Sequence, residues 1–308
     1  MKAYKVLLIR AGISLTVLLA LLIGCGGGGG SSGTGSGGGG TPSVNGIMSG
    51  TAIKGPVSNG MVTAFSIDNG TMGRQLGTGQ TDTQGNFSMS IGDYSGPVLL
   101  QMADGDYMDE ATGSMMSMQP TDVMTAAIPF MAAGSTMSGI QITPLTSMAQ
   151  NMAQDMPGGM TQTNITTANN AMGRYFDVGD ILHTTPMNPN VNNSGGGANQ
   201  DMRNYGMAIA AICQYAKDMG VPNSSSMVTD MMDDAEDGRM NGMMGNTQIK
   251  MGGGMMGGSM VMSSNAGTSG LAGAMVEFIQ SQMNKSGVTL QDMQALINKL
   301  QASNGLIQ

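Results

Sequence analysis

Apolar residues at helical spacing dominate the second half of this 308-residue chain. Intervals of three or four place them on one face of an α-helix. The longest stripe is Met202, Tyr205, Ile209, Ile212, Ala216 and Met219. Shorter stripes are Leu145, Met148 and Met152; Ile165, Ala168, Met172 and Tyr175; Met227, Met231 and Ala235; Leu271, Met275 and Phe278; and Leu290, Met293, Ile297 and Leu300. This spacing predicts an all-α C-terminal domain over residues 144–308.

Capping residues locate the ends of two of these helices. Thr143 is a good N-cap, and Pro144 suits the first helical position because its missing N–H is not needed there. Pro157, Gly158 and Gly159 then stop the helix. Thr289 with Asp292 has the spacing of a capping box for the last helix. We therefore place the domain boundary between residues 143 and 144.

The first half has the period of β-strands. Residues 61–67 alternate polar and apolar positions, and residues 46–53, 87–91 and 97–102 are rich in β-formers. Residues 54–60, Lys-Gly-Pro-Val-Ser-Asn-Gly, have the chemistry of a turn. Turn signals at this short spacing predict an all-β sandwich over residues 46–143.

One segment of the first half has a recognisable motif. Gly50-Thr51-Ala52 is followed by Gly60-Met61-Val62 and then by Thr81-Asp82-Thr83-Gln84-Gly85-Asn86-Phe87. This run resembles the carboxypeptidase regulatory-like, transthyretin-type family, in which a strand pair precedes T-D-x-x-G-x-F. The resemblance implies an accessory immunoglobulin/transthyretin-like sandwich without catalytic residues. The expected fold class is thus α+β multidomain, with this sandwich before the all-α domain.

The N-terminus has the pattern of a secretory signal. Lys2, Lys5 and Arg10 precede a mostly apolar run from Ala11 to Ile23, which is too short for a comfortable membrane span. The run ends in Leu-Ile-Gly-Cys25, which resembles the lipobox of bacterial lipoproteins. The resemblance implies a signal peptide over residues 1–24 and lipidation of Cys25 with diacylglycerol, hence palmitate-type chains. The alternative is a short membrane anchor with an incidental cysteine.

A glycine-rich tether follows at residues 25–45. Between positions 26 and 40 it contains only Gly, Ser and Thr, so it should behave as a flexible coil with a reach of about 20 Å. In lipoprotein families an aspartate after the cysteine favours inner-membrane retention. Gly26 stands there instead, which implies the outer membrane, on its periplasmic face or at the cell surface.

The order of segments also resembles a group of poorly characterised bacterial surface or periplasmic lipoproteins. Residues 107–113, Tyr-Met-Asp-Glu-Ala-Thr-Gly, and residues 237–242, Asp-Gly-Arg-Met-Asn-Gly, are similar to segments of that group. The resemblance brings no known reaction with it.

The charge and the cysteine content limit the kinds of binding partner that we expect. The formal charge of -8 becomes -11 when Lys2, Lys5 and Arg10 are removed with the signal peptide. An acidic chain has no basic footprint for nucleic acid and is not attracted to anionic lipid, so the membrane link should be the lipid itself. With Cys25 lipidated, Cys213 is left as a single thiol, which we expect to be buried and inert.

Methionine is unusually abundant. The chain has 36 Met, and eleven of them fall between Met227 and Met262. Thioethers are soft ligands that suit Cu(I). The candidate ligands in the glycine-rich segment 238–268 are Met240, Met243, Met244, Met251, Met255, Met256 and Met260. The alternative is that Met replaces Leu as core filler, as it does in the helical stripes.

Other candidate groups favour structural interpretations. His183 is the only histidine, so we expect a satisfied loop residue. Two acidic clusters are expected to be solvated rather than metal-binding: Asp104, Asp106, Asp109 and Glu110; and Asp233, Asp234, Glu236 and Asp237. We therefore expect no enzyme and no cofactor, but a lipid-anchored binding or structural module with an envelope protein as partner. The alternative function is a Cu(I)-binding or Cu(I)-sequestering lipoprotein.

Overall fold

The structure is a computed structural model that describes residues 45–251 and 260–308. It is an α+β fold in which a β-rich region is followed by helices. The described residues belong to one compact unit. The predicted signal peptide, Cys25 and the tether up to residue 44 lie outside the described residues.

The β-rich region contains nine strands. They are β1 (Gly46–Ala52), β2 (Met61–Asp68), β3 (Thr71–Gln80), β4 (Asn86–Gly92), β5 (Gly96–Ala103), β6 (Asp106–Met108), β7 (Met115–Ser117), β8 (Val123–Met131) and β9 (Thr136–Ile142). One sheet has the order β4-β1-β9, with β9 parallel to β1. A four-stranded antiparallel sheet has the order β3-β2-β5-β8, and β6 pairs with β7.

Six α-helices follow within the described ranges. They are α1 (Pro144–Asp155), α2 (Gln162–Phe176), α3 (Gln200–Asp218), α4 (Ser224–Ala235), α5 (Leu271–Gln280) and α6 (Leu290–Ala302). Two short strands, β10 (Met243–Met244) and β11 (Thr247–Gln248), pair after α4. The prediction that residues 144–308 are all α-helical was therefore wrong for this segment. None of the helices described is long and apolar enough to cross a membrane.

The helix boundaries follow the capping signals in the sequence. Thr143 caps α1 in a capping box with Thr146, and Pro144 occupies its first turn. Thr289 and Asp292 form the predicted capping box of α6. These caps satisfy N–H groups that the first turn of a helix leaves unpaired. Both predicted helix starts are confirmed.

The strands and helices share one apolar core. Buried side chains of β8, α1 and α2 belong to the same continuous cluster. Polar bonds reinforce this contact, since Asn169 on α2 donates to the Ala127 carbonyl at 3.1 Å. The Thr125 N–H donates to Ser147 Oγ at 2.8 Å. Separating the helices from the sheet would therefore expose both apolar area and buried polar groups.

Gly206 allows α3 to pack closely against the segment before it. A Cβ at Gly206 would lie 2.0 Å from the Met187 carbonyl oxygen, whereas a Cβ at Gly273 on α5 would meet nothing within 4 Å. We expect Gly206→Ala to lower the free energy of unfolding by about 1 to 3 kcal/mol through overpacking. Gly273→Ala, the matched control, should raise it by about 0.5 to 1 kcal/mol because alanine favours helix. Denaturant unfolding measures both changes, and equal effects would contradict this packing.

Candidate functional site

A lysine lies at the centre of the junction between the β-rich region and the helices. Lys54 follows β1 in the predicted turn, and its side chain is 0% exposed. Lysine is almost never fully buried unless it is paired. The groups around Lys54 therefore decide what this junction does.

Lys54 Nζ contacts side chains from both halves of the chain. It donates to Ser224 Oγ at 2.7 Å and to Cys213 Sγ at 3.0 Å. It lies 3.7 Å from Asp109 Oδ2 and 3.8 Å from Glu110 Oε2. The ammonium also stands 4.5 Å from the centre of the Tyr107 ring, a cation–π distance. We call Lys54, Tyr107, Asp109, Glu110, Cys213 and Ser224 the Lys54 cluster.

The two carboxylates of the Lys54 cluster have further donors. Asp109 Oδ1 accepts from the N–H and the hydroxyl of Thr112, each at 2.9 Å, and Asp109 Oδ2 accepts from Ser224 Oγ. Glu110 Oε1 accepts from the Gly55 N–H, and Glu110 Oε2 accepts from Cys213 Sγ at 2.9 Å. Each carboxylate oxygen thus has a hydrogen-bond donor, as a buried charge requires.

The expectation that the first acidic cluster is solvated was wrong for two of its four members. Asp109 is 1% exposed and Glu110 is 2% exposed. They are buried because Lys54, distant in sequence, supplies the compensating charge. Asp104 is exposed, as expected, and Asp106 is partly buried.

The protonation states follow from burial and neighbouring charge. Burial alone would lower the pKa of Lys54, but the acidic groups of Cys213, Glu110, Tyr107 and Asp109 raise it above its usual value. Burial, with the carboxylate of Glu110 next in importance, raises the pKa of Cys213 well above that of a free thiol. Lys54 is therefore an ammonium in the resting cluster, and Cys213 is a thiol rather than a reactive thiolate. The predicted burial of Cys213 is confirmed.

The N-terminus of α4 binds a third buried acid at this junction. Asp122, from the segment before β8, is 2% exposed. Its Oδ2 accepts from Ser225 Oγ at 2.5 Å and from Ser226 Oγ at 3.1 Å. The positive end of the helix dipole stabilises carboxylates placed there. The three serines that open α4 therefore bind Asp109 and Asp122 of the β-rich region.

Asp109, Glu110 and Cys213 also have the composition of a small metal site. Their ligand atoms lie within 4.8 Å of one another. Lys54 Nζ, however, is within 3.8 Å of all three residues and donates to the sulfur. A metal ion would have to displace this ammonium against its repulsion. We conclude that Lys54 is the cation that the three groups hold.

The candidate copper ligands lie in varied surroundings. Met240 and Met251 are buried in the core, at 0% and 1% exposure. Met243 and Met244 form β10 and are partly buried, and Met260 is 38% exposed. Met255 and Met256 lie outside the described residues. The described thioethers thus include both core residues and residues at the surface.

Asp234 differs from the solvated acid that the sequence predicted. It is 0% exposed, and its Oδ1 accepts from the N–H groups of Asn241, Gly242 and Met243 at 2.8, 2.6 and 3.3 Å. Its Oδ2 is buried without a hydrogen-bond partner. Burial raises the pKa of Asp234 to about 6, against these three backbone hydrogen bonds. The carboxylate stabilises the turn after α4 through these hydrogen bonds. Its charged form lowers the stability of the folded protein because the group is buried.

His183 is a satisfied loop residue, as expected, and it is exposed. Its Nδ1 lies 2.8 Å from Asp180 Oδ2, and its backbone N–H contacts Asp180 Oδ1 at 3.2 Å. Both contacts are local, three residues apart. The pair closes a turn and does not join the Lys54 cluster.

Comparisons with protein-family models, with curated proteins and with solved structures give no match to this chain.

Proposed function

We propose that this protein is a non-catalytic, lipid-anchored envelope protein whose folded part serves as a binding or structural module. The observation that carries the proposal is the enclosure of the Lys54 cluster. Lys54, Asp109, Glu110 and Cys213 are at most 2% exposed. These groups bind one another across the junction and are almost entirely removed from solvent.

The proposed architecture includes a transthyretin-type sandwich. Two sheets contribute buried residues to one core, with the strand orders β4-β1-β9 and β3-β2-β5-β8. Strand β3 of the second sheet contacts strand β4 of the first. This arrangement supports the resemblance between the motif at residues 81–87 and that of the transthyretin-type family. A folded unit of this kind on a glycine tether at the outer membrane suits contact with an envelope protein.

Cleavage and lipid labelling of the precursor test whether Cys25 is lipidated. Cells expressing the wild-type chain are labelled with palmitate, with and without globomycin, beside a Cys25→Ala variant. We expect label in the wild type, an unprocessed precursor with globomycin, and neither label nor processing in Cys25→Ala. Normal processing of Cys25→Ala would refute the anchor. Crosslinking in intact envelopes with the same pair of chains then tests for a partner that depends on anchoring.

Binding of Cu(I) is the alternative proposal. It is supported by the position of Met243 and Met244, which are partly buried in β10, and by the exposure of Met260. Competition titration with a Cu(I) chelator separates the two functions. Tight binding lost in Met243→Leu/Met244→Leu would favour copper, while binding no stronger than that of a weak chelator would exclude it.

A further inference from the structure

The Lys54 cluster has the parts of a reaction as well as those of an ion pair. It places a primary amine, two carboxyl groups and a hydroxyl in a site closed to solvent. Bound groups that are held together react as if at effective concentrations of about 10⁵ to 10⁸ M. Amide formation between an amine and a carboxyl group needs no oxidant or cofactor.

We propose that Lys54 Nζ and the Asp109 carboxyl carbon form an intramolecular amide bond. The bond would covalently join the turn after β1 to the segment after β6. It consumes one ammonium and one carboxylate and releases one water: the bond between Asp109 Cγ and one carboxyl oxygen breaks, and the Nζ–Cγ bond forms. Two protons of the ammonium leave with that oxygen, and the third remains on the amide nitrogen.

Ser224 supplies the route for the first proton. Its hydroxyl accepts from Lys54 Nζ at 2.7 Å and donates to Asp109 Oδ2. A concerted shift along these two bonds turns the ion pair into a neutral amine and a carboxylic acid. Burial by itself disfavours both charged forms, but the neighbouring acidic groups keep Lys54 as the ammonium at rest, so the neutral pair forms only transiently. The neutral amine is then the nucleophile.

Thr112 and Glu110 stabilise the remaining steps. As Lys54 attacks, negative charge develops on Asp109 Oδ1, where the N–H and the hydroxyl of Thr112 donate at 2.9 Å. Two fixed donors at a developing oxyanion are the arrangement that stabilises acyl transfer. Glu110 Oε2, 3.8 Å from Nζ, takes the second proton as a general base and returns it to the leaving oxygen.

Asp109 rather than Glu110 is assigned as the acyl group for two reasons. Only Asp109 has a pair of donors on one oxygen and a hydroxyl relay on the other. Glu110 instead has Cys213 on the oxygen nearest the amine. A cavity of about 30 Å³ beside Glu110 and Gly55 has room for the released water.

Mass spectrometry of the full-length Cys25→Ala chain, which carries no lipid, tests the proposal. The bond lowers the intact mass by that of one water. Trypsin cleaves after a free Lys54 and releases peptide 55–74, but it does not cleave after an acylated lysine. We expect the mass deficit, no free 55–74, and Lys54 joined to peptide 75–174 with the link at Asp109.

Variants distinguish the roles. Lys54→Met and Asp109→Ala should restore the full mass, Glu110→Gln and Ser224→Ala should leave a large part of the chain unlinked, and Lys217→Met should keep the deficit. If the chain with an unaltered Lys54 cluster has its full mass and trypsin releases peptide 55–74, the proposal is overturned. A link at Glu110 would also overturn it.

Discussion

Replacing Lys54 with methionine should lower the free energy of unfolding by about 3 to 5 kcal/mol, the usual cost of removing one partner of a buried ion pair. Asp109 and Glu110 would remain buried without their cation. This figure applies to the ion-paired cluster; where the proposed amide has formed, the variant loses that covalent bond instead. Chemical denaturation of the Lys54→Met chain measures the change.

Two further variants separate charge from packing. Lys217→Met is the matched control, because Lys217 is exposed and its ammonium donates to a backbone carbonyl, that of Ala111, at 3.2 Å; it should change stability by less than about 1 kcal/mol. Lys54→Met combined with Asp109→Asn and Glu110→Gln should recover part of the loss, since no buried charge is left unpaired. If the chain with Lys54→Met alone is as stable as the wild type, the stabilising role of Lys54 is refuted.

The stability of the protein should fall as the pH rises from about 4 to about 6, through the contribution of Asp234. The pKa of its carboxyl is about 6 in the folded protein and near 3.8 in the unfolded chain. The folded state therefore holds the proton more tightly, and its ionisation at higher pH costs stability. A difference of about two pKa units corresponds to about 3 kcal/mol.

Asp234→Asn isolates this contribution. The amide cannot ionise, and its oxygen can still accept from the turn at Asn241 and Gly242. We expect the stability of the variant relative to wild type to rise by about 3 kcal/mol between pH 4 and pH 7. Asp237→Asn removes an exposed neighbouring carboxylate that helps to raise the pKa of Asp234, so it should give a smaller change in the same direction. A pH-independent difference for Asp234→Asn would contradict the raised pKa.

Local pattern was sufficient to predict all six of the described α-helices and four of the strands. The stripe of Tyr205, Ile209 and Ile212 forms α3, and the alternation of residues 61–67 forms β2. Strand β3 was not predicted, because its residues are mostly exposed and three of them are glycine. It is held by backbone pairing with β2, a contact that leaves no hydrophobic period in the sequence.

The Lys54 cluster could not be predicted from local pattern. Lys54 has the sequence context of an exposed turn, and Asp109 that of an exposed loop. Their burial depends on Cys213 and Ser224, which come from α3 and α4 more than a hundred residues later. Lysine in a turn is solvated by default, so only the tertiary contact reverses the expectation. The same holds for Asp234, whose backbone partners lie in the turn beyond α4.

The rate of thiol labelling at Cys213 in the folded Cys25→Ala chain tests the closed junction most directly. Cys213 is 1% exposed and donates to Glu110 inside the Lys54 cluster. If the junction opens only when the protein unfolds, labelling should be slower than in denaturant by about 10³-fold or more, with the denaturant dependence of global unfolding. Labelling of the native protein at the rate of the unfolded chain would show that the β-rich region and the helices separate freely and would contradict this account.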